Sequence, residues 1–358
     1  MKVLFISSMP KRGVSGGRYL AALSAESLAR KGADVTYLVD RINHQVFDQS
    51  IIKNIKLSGC LTFLFGRIAF LDNIIVSLVT LMWKKKFDIC VVIPELGGTK
   101  LKSLIDLSFN VADKVYLYNF ETPNWFNTYS PVKKDPELWK SWKYAVDQGA
   151  GVICISKESA YWGSQYYKTA NHLFSFNCPV YQLSDIQNSI GAKTNSALCI
   201  TRFDSHKGME GLCEIIKHTD GLDEFILMLG SVAPPKALLD DLNSVCIDQG
   251  VNLKIKKAVS HSEKYQILQR TKVLIFPTFF EGLGMPPIEA LASGLSVIAF
   301  ELPVLREISQ KIRFVSPGDY AAMGREISET LMQNEGGDKN ITRYSVENCD
   351  LYDHLFNV

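Results

Sequence analysis

The sequence predicts an α/β fold of two Rossmann-like domains, each a doubly wound parallel sheet, that face one another across a cleft. Three observations lead to this prediction. The chain has 358 residues, which is enough for two domains of ordinary size. Apolar residues make up 47% of it and charged residues 21%, which permits a core in each domain and excludes a disordered chain. Strand-like and helix-like segments alternate along almost the whole length, as in parallel sheets covered on both faces.

The first domain is predicted over residues 1–176. Short apolar runs indicate buried strands, and the segments between them repeat apolar residues at helical spacing, as Leu20, Leu23 and Leu28 do ahead of Gly32. The predicted strands are 2–7, 35–39, 89–93, 114–118, 152–155 and 172–174. The predicted helices are 17–31, 99–109, 137–148 and 157–168.

A polar segment without periodicity, residues 177–194, is the predicted linker. The second domain follows over 195–338, and the tail 339–358 is expected to cross back to the first domain. In the second domain the predicted strands are 196–201, 225–229, 252–257, 273–276, 296–300 and 313–315. The predicted helices are 209–218, 235–249, 262–270, 287–293 and 320–334.

Charge and cysteine content restrict the partners and the compartment. The net charge is only +2, so no nucleic-acid partner is expected. None of the eight cysteines forms a C-x-x-C spacing, which makes a zinc site unfavourable, and several lie in apolar runs as buried thiols. The first residues, MKVLFISSMPKRG, do not have the pattern of a signal peptide. A cytoplasmic protein is therefore expected.

One segment, residues 61–83, is apolar enough to need a membrane test. Arg67 and Asp72 interrupt it, so no charge-free span reaches the ~20 residues that a membrane crossing needs. A buried helix is the favoured interpretation. An interfacial helix, whose following lysines 84–86 meet anionic lipid, is the alternative, so peripheral membrane association stays open.

Three loops contain residue types that could bind a ligand. The first follows the first strand and includes Gly13, Gly16 and Gly17, which let the backbone approach a ligand at a helix N-terminus. It lacks the G-x-G-x-x-G fingerprint of dinucleotide binding, and a plain glycine turn is the alternative. The second, the basic loop of residues 202–208, contains Arg202 and Lys207 after a predicted strand. These two cations could clamp one diphosphate; a solvated surface pair is the alternative.

The third, the acidic loop of residues 277–284, gives the sharpest signal. Glu281 lies among glycines after an apolar strand, and Glu289 follows eight positions later in what is predicted as the first turn of a helix. A carboxylate there can accept two hydrogen bonds from a vicinal diol such as a ribose. Two carboxylates beside an anion site suit a molecule that contains a sugar, a diphosphate and a nucleoside. For Glu289 alone, a first-turn acid favoured by the helix dipole is the alternative.

Together these segments resemble the retaining glycosyltransferases of glycosyltransferase family 4, which adopt the two-domain GT-B fold. The resemblance covers essentially the whole chain and is strongest over 196–308 and in SGGRYLAALSAESLARKGADVTYLV near the start. The spacing of Glu281 and Glu289 matches the family's E-x7-E motif. One departure is Thr201, where the family commonly has glycine before the arginine.

The resemblance implies a role for each residue. Glu281, Arg202 and Lys207 would be catalytic, with Glu281 on the transferred sugar and the two cations on the diphosphate. Glu289 would bind the nucleoside ribose. The donor-binding set that the resemblance implies is Gly16, Gly17, Arg202, Lys207, Glu281, Gly282, Leu283, Gly284, Met285, Pro286 and Glu289.

The predicted reaction moves a hexosyl group from a nucleotide-diphosphate sugar to a glycan, lipid or protein-linked acceptor. GDP-mannose is favoured as the donor, because many relatives use it, and a UDP-hexose comes next. No D-x-D motif occurs in the chain, so the basic loop and a helix N-terminus would stabilise the leaving diphosphate, and neither a metal nor another cofactor is expected. Retention of configuration is implied by the resemblance alone.

The acceptor side of the sequence is less informative. Glu121, Asn124 and Trp125 follow a predicted strand of the first domain and combine an aromatic ring with polar groups, as sugar sites do. A structural aromatic loop is the alternative. Three other functions stay open: a UDP-sugar epimerase of the same fold, a non-catalytic sugar-nucleotide-binding protein, and a nicotinamide oxidoreductase, for which the fingerprint is missing.

Overall fold

The computed structural model describes residues 1–7, 16–40, 53–60, 77–78, 80–81, 83, 86–94, 96, 100–186, 193–230, 232–333 and 336–356. The chain divides into two compact units. The first contains Met1–Phe126, Lys134–Pro179 and Val346–Val358, and the second contains Asn127–Lys133 and Val180–Ser345. Gly13, the rest of the first glycine loop before Gly16, and most of the apolar segment 61–83 lie outside the described residues.

The first unit is built on a seven-stranded sheet in which all pairings are parallel. Its order is β3-β2-β1-β4-β5-β6-β7, the doubly wound arrangement. The strands are β1 (Lys2–Ser7), β2 (Asp34–Asp40), β3 (Lys56–Cys60), β4 (Phe87–Ile93), β5 (Ala112–Asn119), β6 (Gly151–Cys154) and β7 (Leu173–Ser175). The helices are α1 (Gly16–Arg30), α2 (Lys100–Val111), α3 (Pro123–Tyr129), α4 (Lys140–Asp147) and α5 (Lys157–Tyr166).

Apolar runs and periodicity explain most of these elements. In β1, Val3 to Ile6 are completely buried, as expected for a central strand with helices on both faces. Helix α1 buries Leu20, Leu23 and Leu28 on one face and ends before Gly32, whose φ of +96° suits a helix terminus. Strand β3 was not predicted, because its sequence KLSGC contains no apolar run.

The second unit contains a six-stranded sheet, also with parallel pairings only. Its order, β10-β9-β8-β11-β12-β13, is the 3-2-1-4-5-6 order of a Rossmann fold. The strands are β8 (Thr194–Thr201), β9 (Glu224–Leu229), β10 (Asn252–Lys257), β11 (Thr271–Phe276), β12 (Ser296–Phe300) and β13 (Arg313–Val315). The helices are α6 (Leu212–Lys217), α7 (Lys236–Asp248), α8 (His261–Arg270), α9 (Met285–Ala292), α10 (Pro303–Ile308) and α11 (Tyr320–Leu331).

One core organises this second unit, with Phe225, Ile275, Ile298 and Phe300 of three strands completely buried. Strands β8 and β11 are neighbours, and the chain reverses its direction of winding between them. Such a switch point is where doubly wound sheets bind ligands, at the carboxyl ends of the strands. The basic loop follows β8 and the acidic loop follows β11, so both begin at this point.

The end of the chain belongs to the first unit. Helix α12 (Leu351–Phe356) packs against α1. The carboxylate of Asp350 accepts hydrogen bonds from the backbone N–H of Asn177 (2.7 Å) and from its side-chain amide (2.8 Å). Arg30 of α1 also pairs with Glu347 at 2.8 Å. These contacts attach residues 346–356 to the first sheet's helical layer.

Two further observations bear on the sequence predictions. Within the described part of the chain, no helix combines the length and the apolar composition that a membrane crossing requires.

The cysteines whose surroundings are described are free thiols. Six of them are buried, and the seventh, Cys213, is partly buried. The buried ones are Cys90, Cys154, Cys178, Cys199, Cys246 and Cys349. Burial raises the pKa of the Cys154 thiol to about 12, which suits a packing role rather than a reactive one.

Candidate active site

The basic loop begins where β8 ends, at the switch point of the second sheet. Arg202 is the first residue after the strand, and its side chain is about half exposed. Its guanidinium Nη2 lies 3.3 Å from Asp204 Oδ2, two residues further along the loop. An exposed ion pair of this kind contributes little to stability, so Arg202 can exchange Asp204 for another anion at small cost.

Asp204 also contacts His206, which lies two positions further along the basic loop. His206 Nδ1 lies 2.8 Å from Asp204 Oδ1, and the imidazole is only 3% exposed. Burial lowers the pKa of His206 below its usual value, although the hydrogen bond with Asp204 acts in the opposite direction. A neutral imidazole with its proton on Nδ1 fits this contact. His206 is therefore a buried, neutral contact of Asp204 and does not add a third cation to the basic loop.

Lys207 and Glu281 form an ion pair that connects the basic loop to the acidic loop. Both side chains are mostly buried, with 16% and 15% of their surfaces exposed. The sequence assigned these residues to different parts of a ligand, the diphosphate and the sugar. The structure brings them into direct contact, which places the two assigned positions next to each other.

Backbone and hydroxyl contacts fix the two loops against one another. The carbonyl oxygen of His206 accepts hydrogen bonds from Phe279 N (2.8 Å) and Thr278 Oγ1 (3.0 Å). Gly208 has a φ of +65°, and a Cβ there would lie 2.0 Å from the carbonyl oxygen of Pro277. Only glycine combines this backbone conformation with so close an approach. The spacing between Lys207 and Glu281 is thus set by the backbone of both loops.

The acidic loop ends at the N-terminus of α9. Gly284 caps the helix with a φ of +91°, and a Cβ there would lie 2.7 Å from Leu305 Cδ2. Met285, Pro286 and Pro287 form the first turn, and since proline has no N–H, the backbone donors nearest the helix end are those of Met285 and the loop residues before it. Gly282 and Leu283 complete that loop, with Leu283 buried.

Glu289 occupies the second turn of α9 and not the first, because the helix begins at Met285, two residues earlier than predicted. The interpretation as a first-turn acid is therefore wrong. Its side chain is 3% exposed, and Oε1 lies 2.6 Å from Lys264 Nζ of α8. Tyr265 Oη lies 3.5 Å from the same oxygen. Burial of a carboxylate requires such partners.

The structure therefore gathers all four charged residues of the predicted donor site into the second unit, where each is paired with an opposite charge. The pairs are Arg202 with Asp204, Lys207 with Glu281, and Lys264 with Glu289. Asp204 and Lys264 had not been assigned a role from the sequence. Three cation–carboxylate pairs suit a ligand that carries both anionic and hydroxyl groups, because it can engage both members of a pair.

Four other residues that were predicted to bind the donor or the acceptor lie in the first unit, namely Gly16, Gly17, Glu121 and Asn124. Gly16 opens α1 and is exposed, whereas Gly17 packs so tightly on Phe120 that a Cβ would lie 2.9 Å from its ring. Glu121 and Asn124 are half-buried.

Trp125 departs from the predicted acceptor role. Its ring is only 2% exposed, and it lies in α3, which the sequence suggested to be a loop. A ring packed on all sides in this way cannot stack on a sugar, so Trp125 is better explained as a core residue.

The side chains of the site also bear on whether a metal ion could be bound there. Among the side chains that the structure describes, no group of three or more His, Cys, Asp or Glu has the arrangement to hold a metal ion. The expectation of a metal-independent reaction stays a prediction, and an activity measurement decides it.

Comparison with known proteins shows a similarity that centres on the second unit. Residues 182–345, which include the whole candidate site of the second unit, match the family model described as Glycosyl transferases group 1. A curated relative, the O-antigen chain mannosyltransferase RfbU of Salmonella typhimurium, is 37% identical over 62 residues. That match spans 17% of this chain and 18% of the length of RfbU.

Solved structures resemble the chain over nearly its full length. HepE of Anabaena, in complex with UDP and glucose, has a TM-score of 0.68 at 14% identity, covering 97% of this chain and 93% of HepE. A glycosyltransferase from Rickettsia africae has a TM-score of 0.68 at 13% identity, covering 100% of this chain and 99% of its own. These likenesses establish the fold. They give the chain the two-domain, Rossmann-like GT-B fold, and the family match makes its residues 182–345 similar to the group 1 glycosyl transferases.

Proposed function

We propose that the chain is a retaining, metal-independent hexosyltransferase that takes its sugar from a nucleotide-diphosphate donor bound by the second unit. The observation that carries this proposal is the contact between Lys207 and Glu281, which lie on the two loops that begin at the switch point of one sheet. The two cations and Glu281 then lie on two neighbouring loops of one unit, and Glu289 lies on the helix that follows the second loop.

The diphosphate is bound by Arg202 and Lys207 together with the backbone N–H groups of the acidic loop, Gly282 to Met285. When the donor binds, its phosphate oxygens replace Asp204 and Glu281 as partners of the two cations. Charge-assisted hydrogen bonds of this kind are about twice as strong as neutral ones.

Glu281 contacts the transferred sugar, and Glu289 contacts the ribose of the nucleoside. Release of Glu281 from Lys207 on diphosphate binding leaves its carboxylate able to accept hydrogen bonds from sugar hydroxyls. Glu289 offers a carboxylate on α9, one turn beyond the proposed diphosphate site.

The chemical step breaks the bond between the anomeric carbon and the diphosphate oxygen, with both bonding electrons going to the diphosphate. The acceptor hydroxyl oxygen forms the new bond on the same face of the sugar, and its proton goes to the leaving phosphate. Negative charge thus develops on the diphosphate, where Arg202 and Lys207 stabilise it electrostatically. No metal is assigned a role, since the chain contains no D-x-D motif.

The proposed donor sugar is mannose, carried by GDP, with a UDP-hexose as the second choice. The similarity to RfbU, which is named a mannosyltransferase, supports mannose, whereas the UDP complexes of HepE support a uridine nucleotide. The acceptor is a glycan, a lipid or a protein-linked sugar, contacted in the first unit by Glu121 and Asn124.

Calorimetric titration with GDP-mannose, UDP-glucose, UDP-galactose and ADP-glucose tests the donor assignment. One of these donors should bind the wild-type protein, and Glu289→Ala should weaken its binding. Lys236→Ala, at an exposed position of α7, serves as the matched control and should bind normally. Binding of none of them by a folded wild-type protein would refute the proposed function.

The reaction itself needs two further measurements. Activity should survive complete chelation with EDTA; loss of activity that magnesium restores would refute metal independence. Proton NMR of the product should show that the new glycosidic bond keeps the anomeric configuration of the donor. Conversion of the donor to an epimer without transfer would favour an epimerase instead.

A further inference from the structure

Glu289 is held at one of its two carboxylate oxygens only. Lys264 Nζ (2.6 Å) and Tyr265 Oη (3.5 Å) both approach Oε1, and the described residues supply no partner for Oε2. A carboxylate that is 3% exposed normally has both oxygens satisfied, so a group outside the protein is the natural partner of Oε2.

Lys264 is placed to contact the same external group. Its side chain is 18% exposed beside a carboxylate that is almost fully buried, and its ammonium lies 5.0 Å from the centre of the Tyr265 ring. The ring and the carboxylate hold the ammonium in one position. A lysine ammonium carries donors in three directions and no acceptor, whereas Glu289 only accepts. The pair thus presents a donor and an acceptor side by side.

We propose that Lys264 and Glu289 together recognise the vicinal diol of the donor's ribose. The 3′-hydroxyl of the ribose donates to Glu289 Oε2, and the 2′-oxygen accepts from Lys264 Nζ. Lys264 is therefore a specificity-determining residue that favours ribonucleotides over 2′-deoxyribonucleotides. This inference rests on the proposed function, because it names a second ligand for the ribose end of the same site.

A nearby ion pair provides the matched control. Lys256 of β10 pairs with Glu263 of α8 at 3.0 Å, but both side chains are about 40% exposed. Glu263 and Lys264 are adjacent in α8, so the two pairs share an element and a residue type while differing in burial. Loss of the exposed pair should have almost no effect.

The experiment compares UDP and GDP with their 2′-deoxy counterparts by calorimetry, on wild type, Lys264→Met, Lys264→Arg and Lys256→Met. The wild type should bind its preferred ribonucleotide about tenfold more tightly than the deoxy form, the effect of one charge-assisted hydrogen bond. Lys264→Met should weaken ribonucleotide binding about tenfold and reduce the preference to about twofold. Lys264→Arg should recover part of the preference, and Lys256→Met should match wild type.

The outcomes separate this inference from the proposed function. Wild type that binds neither UDP nor GDP overturns both. Wild type that binds one of them without a ribose preference overturns the inference alone. The inference is also overturned when Lys264→Met weakens both forms equally and keeps the tenfold preference, because Lys264 would then act only on the fold or on the charge of Glu289. Should the Met variant not fold, Lys264→Gln replaces it with the same expected loss of preference.

Discussion

The ammonium of Lys207 pairs with the carboxylate of Glu281, although 74 positions separate the two residues in the sequence. One follows β8 and the other follows β11, the two strands that meet at the switch point of the second sheet. In the free protein each group neutralises the other. In the proposed function, a bound diphosphate takes over Lys207 and releases Glu281, so that its binding would prepare the carboxylate for the sugar.

Replacement of Glu281 by glutamine separates binding from turnover. Glu281→Gln keeps the size of the side chain but removes the charge that Lys207 must give up when a diphosphate binds. We expect kcat to fall about a hundredfold, as for other groups that act on transition-state charge, while nucleotide affinity stays equal or rises. Steady-state kinetics and calorimetry with the nucleoside diphosphate measure the two quantities. A large loss of affinity with unchanged kcat would contradict the assigned role.

Removal of either cation of the basic loop should instead weaken nucleotide binding. Arg202→Ala and Lys207→Ala should each weaken nucleotide binding about tenfold or more, since each deletes a charge-assisted hydrogen bond to phosphate. The exposed Lys236→Ala variant is the control. Binding of nucleoside monophosphate and diphosphate should become more similar in both variants. If affinity is unchanged in both, the diphosphate is bound elsewhere.

The sequence was sufficient for the fold because buried parallel strands are continuous apolar runs, and those of β8 and β11 are both of this kind. The acidic and basic loops follow such strands, so their residues could be placed at one sheet edge in advance. The contact between Lys264 and Glu289 could not be predicted, because it depends on how α8 packs beside α9. A lysine in an amphipathic helix does not by itself indicate a binding site.

Two other sequence predictions differ from the structure, and each difference has a local cause. The position of Glu289 was misjudged because Pro286 and Pro287 are common first-turn residues, while the helix actually begins at Met285. Trp125 was assigned to an acceptor site from its residue type and its position after a predicted strand. Its burial depends on the formation of α3 from PNWFNTY, a segment with little helical periodicity.

The lowered pKa of His206 predicts how the free energy of unfolding depends on pH. Burial lowers the pKa of His206 in the folded protein, so between that value and about 6.5 the unfolded chain binds a proton that the folded chain does not. Its contribution to stability is complete above about pH 6.5 and is lost as the pH falls through this window. Besides Asp204, the charges of Lys207 and Glu281 act on the ring.

Replacing His206 should therefore flatten the acid side of the stability profile. Between about pH 7.5 and 5.5, a range that spans the ordinary pKa of histidine, the melting temperature of His206→Asn should fall less than that of wild type. At the upper end of this range, the variant should have the lower melting temperature of the two. Thermal unfolding across this range measures the difference. The exposed His218→Asn is the control and should follow the wild-type profile. An equal loss in His206→Asn and wild type would show that the buried imidazole does not set the slope.

Gly208 should be the most sensitive glycine of the site. In Gly208→Ala, the methyl group would meet the carbonyl oxygen of Pro277 at 2.0 Å, and the residue must keep a φ of +65°. Gly221 is a matched control, because it has a φ of +72° and no atom lies within 4 Å of the position that a Cβ would take. Gly221→Ala therefore incurs only the backbone cost of about 1 kcal/mol. Gly208→Ala should lose about 2–3 kcal/mol of unfolding free energy.

The same variant should also lose function out of proportion to its stability. Relief of the clash requires the basic loop to move away from the acidic loop, which separates Lys207 from Glu281 and lengthens the hydrogen bonds from Phe279 and Thr278 to His206. At a temperature where the variant is fully folded, nucleotide affinity should fall at least about tenfold, as in Lys207→Ala, whereas Gly221→Ala should bind normally. Denaturant unfolding and calorimetry on both variants measure this. Normal affinity in a folded Gly208→Ala protein would mean that the close approach of the two loops does not set the geometry of the diphosphate site.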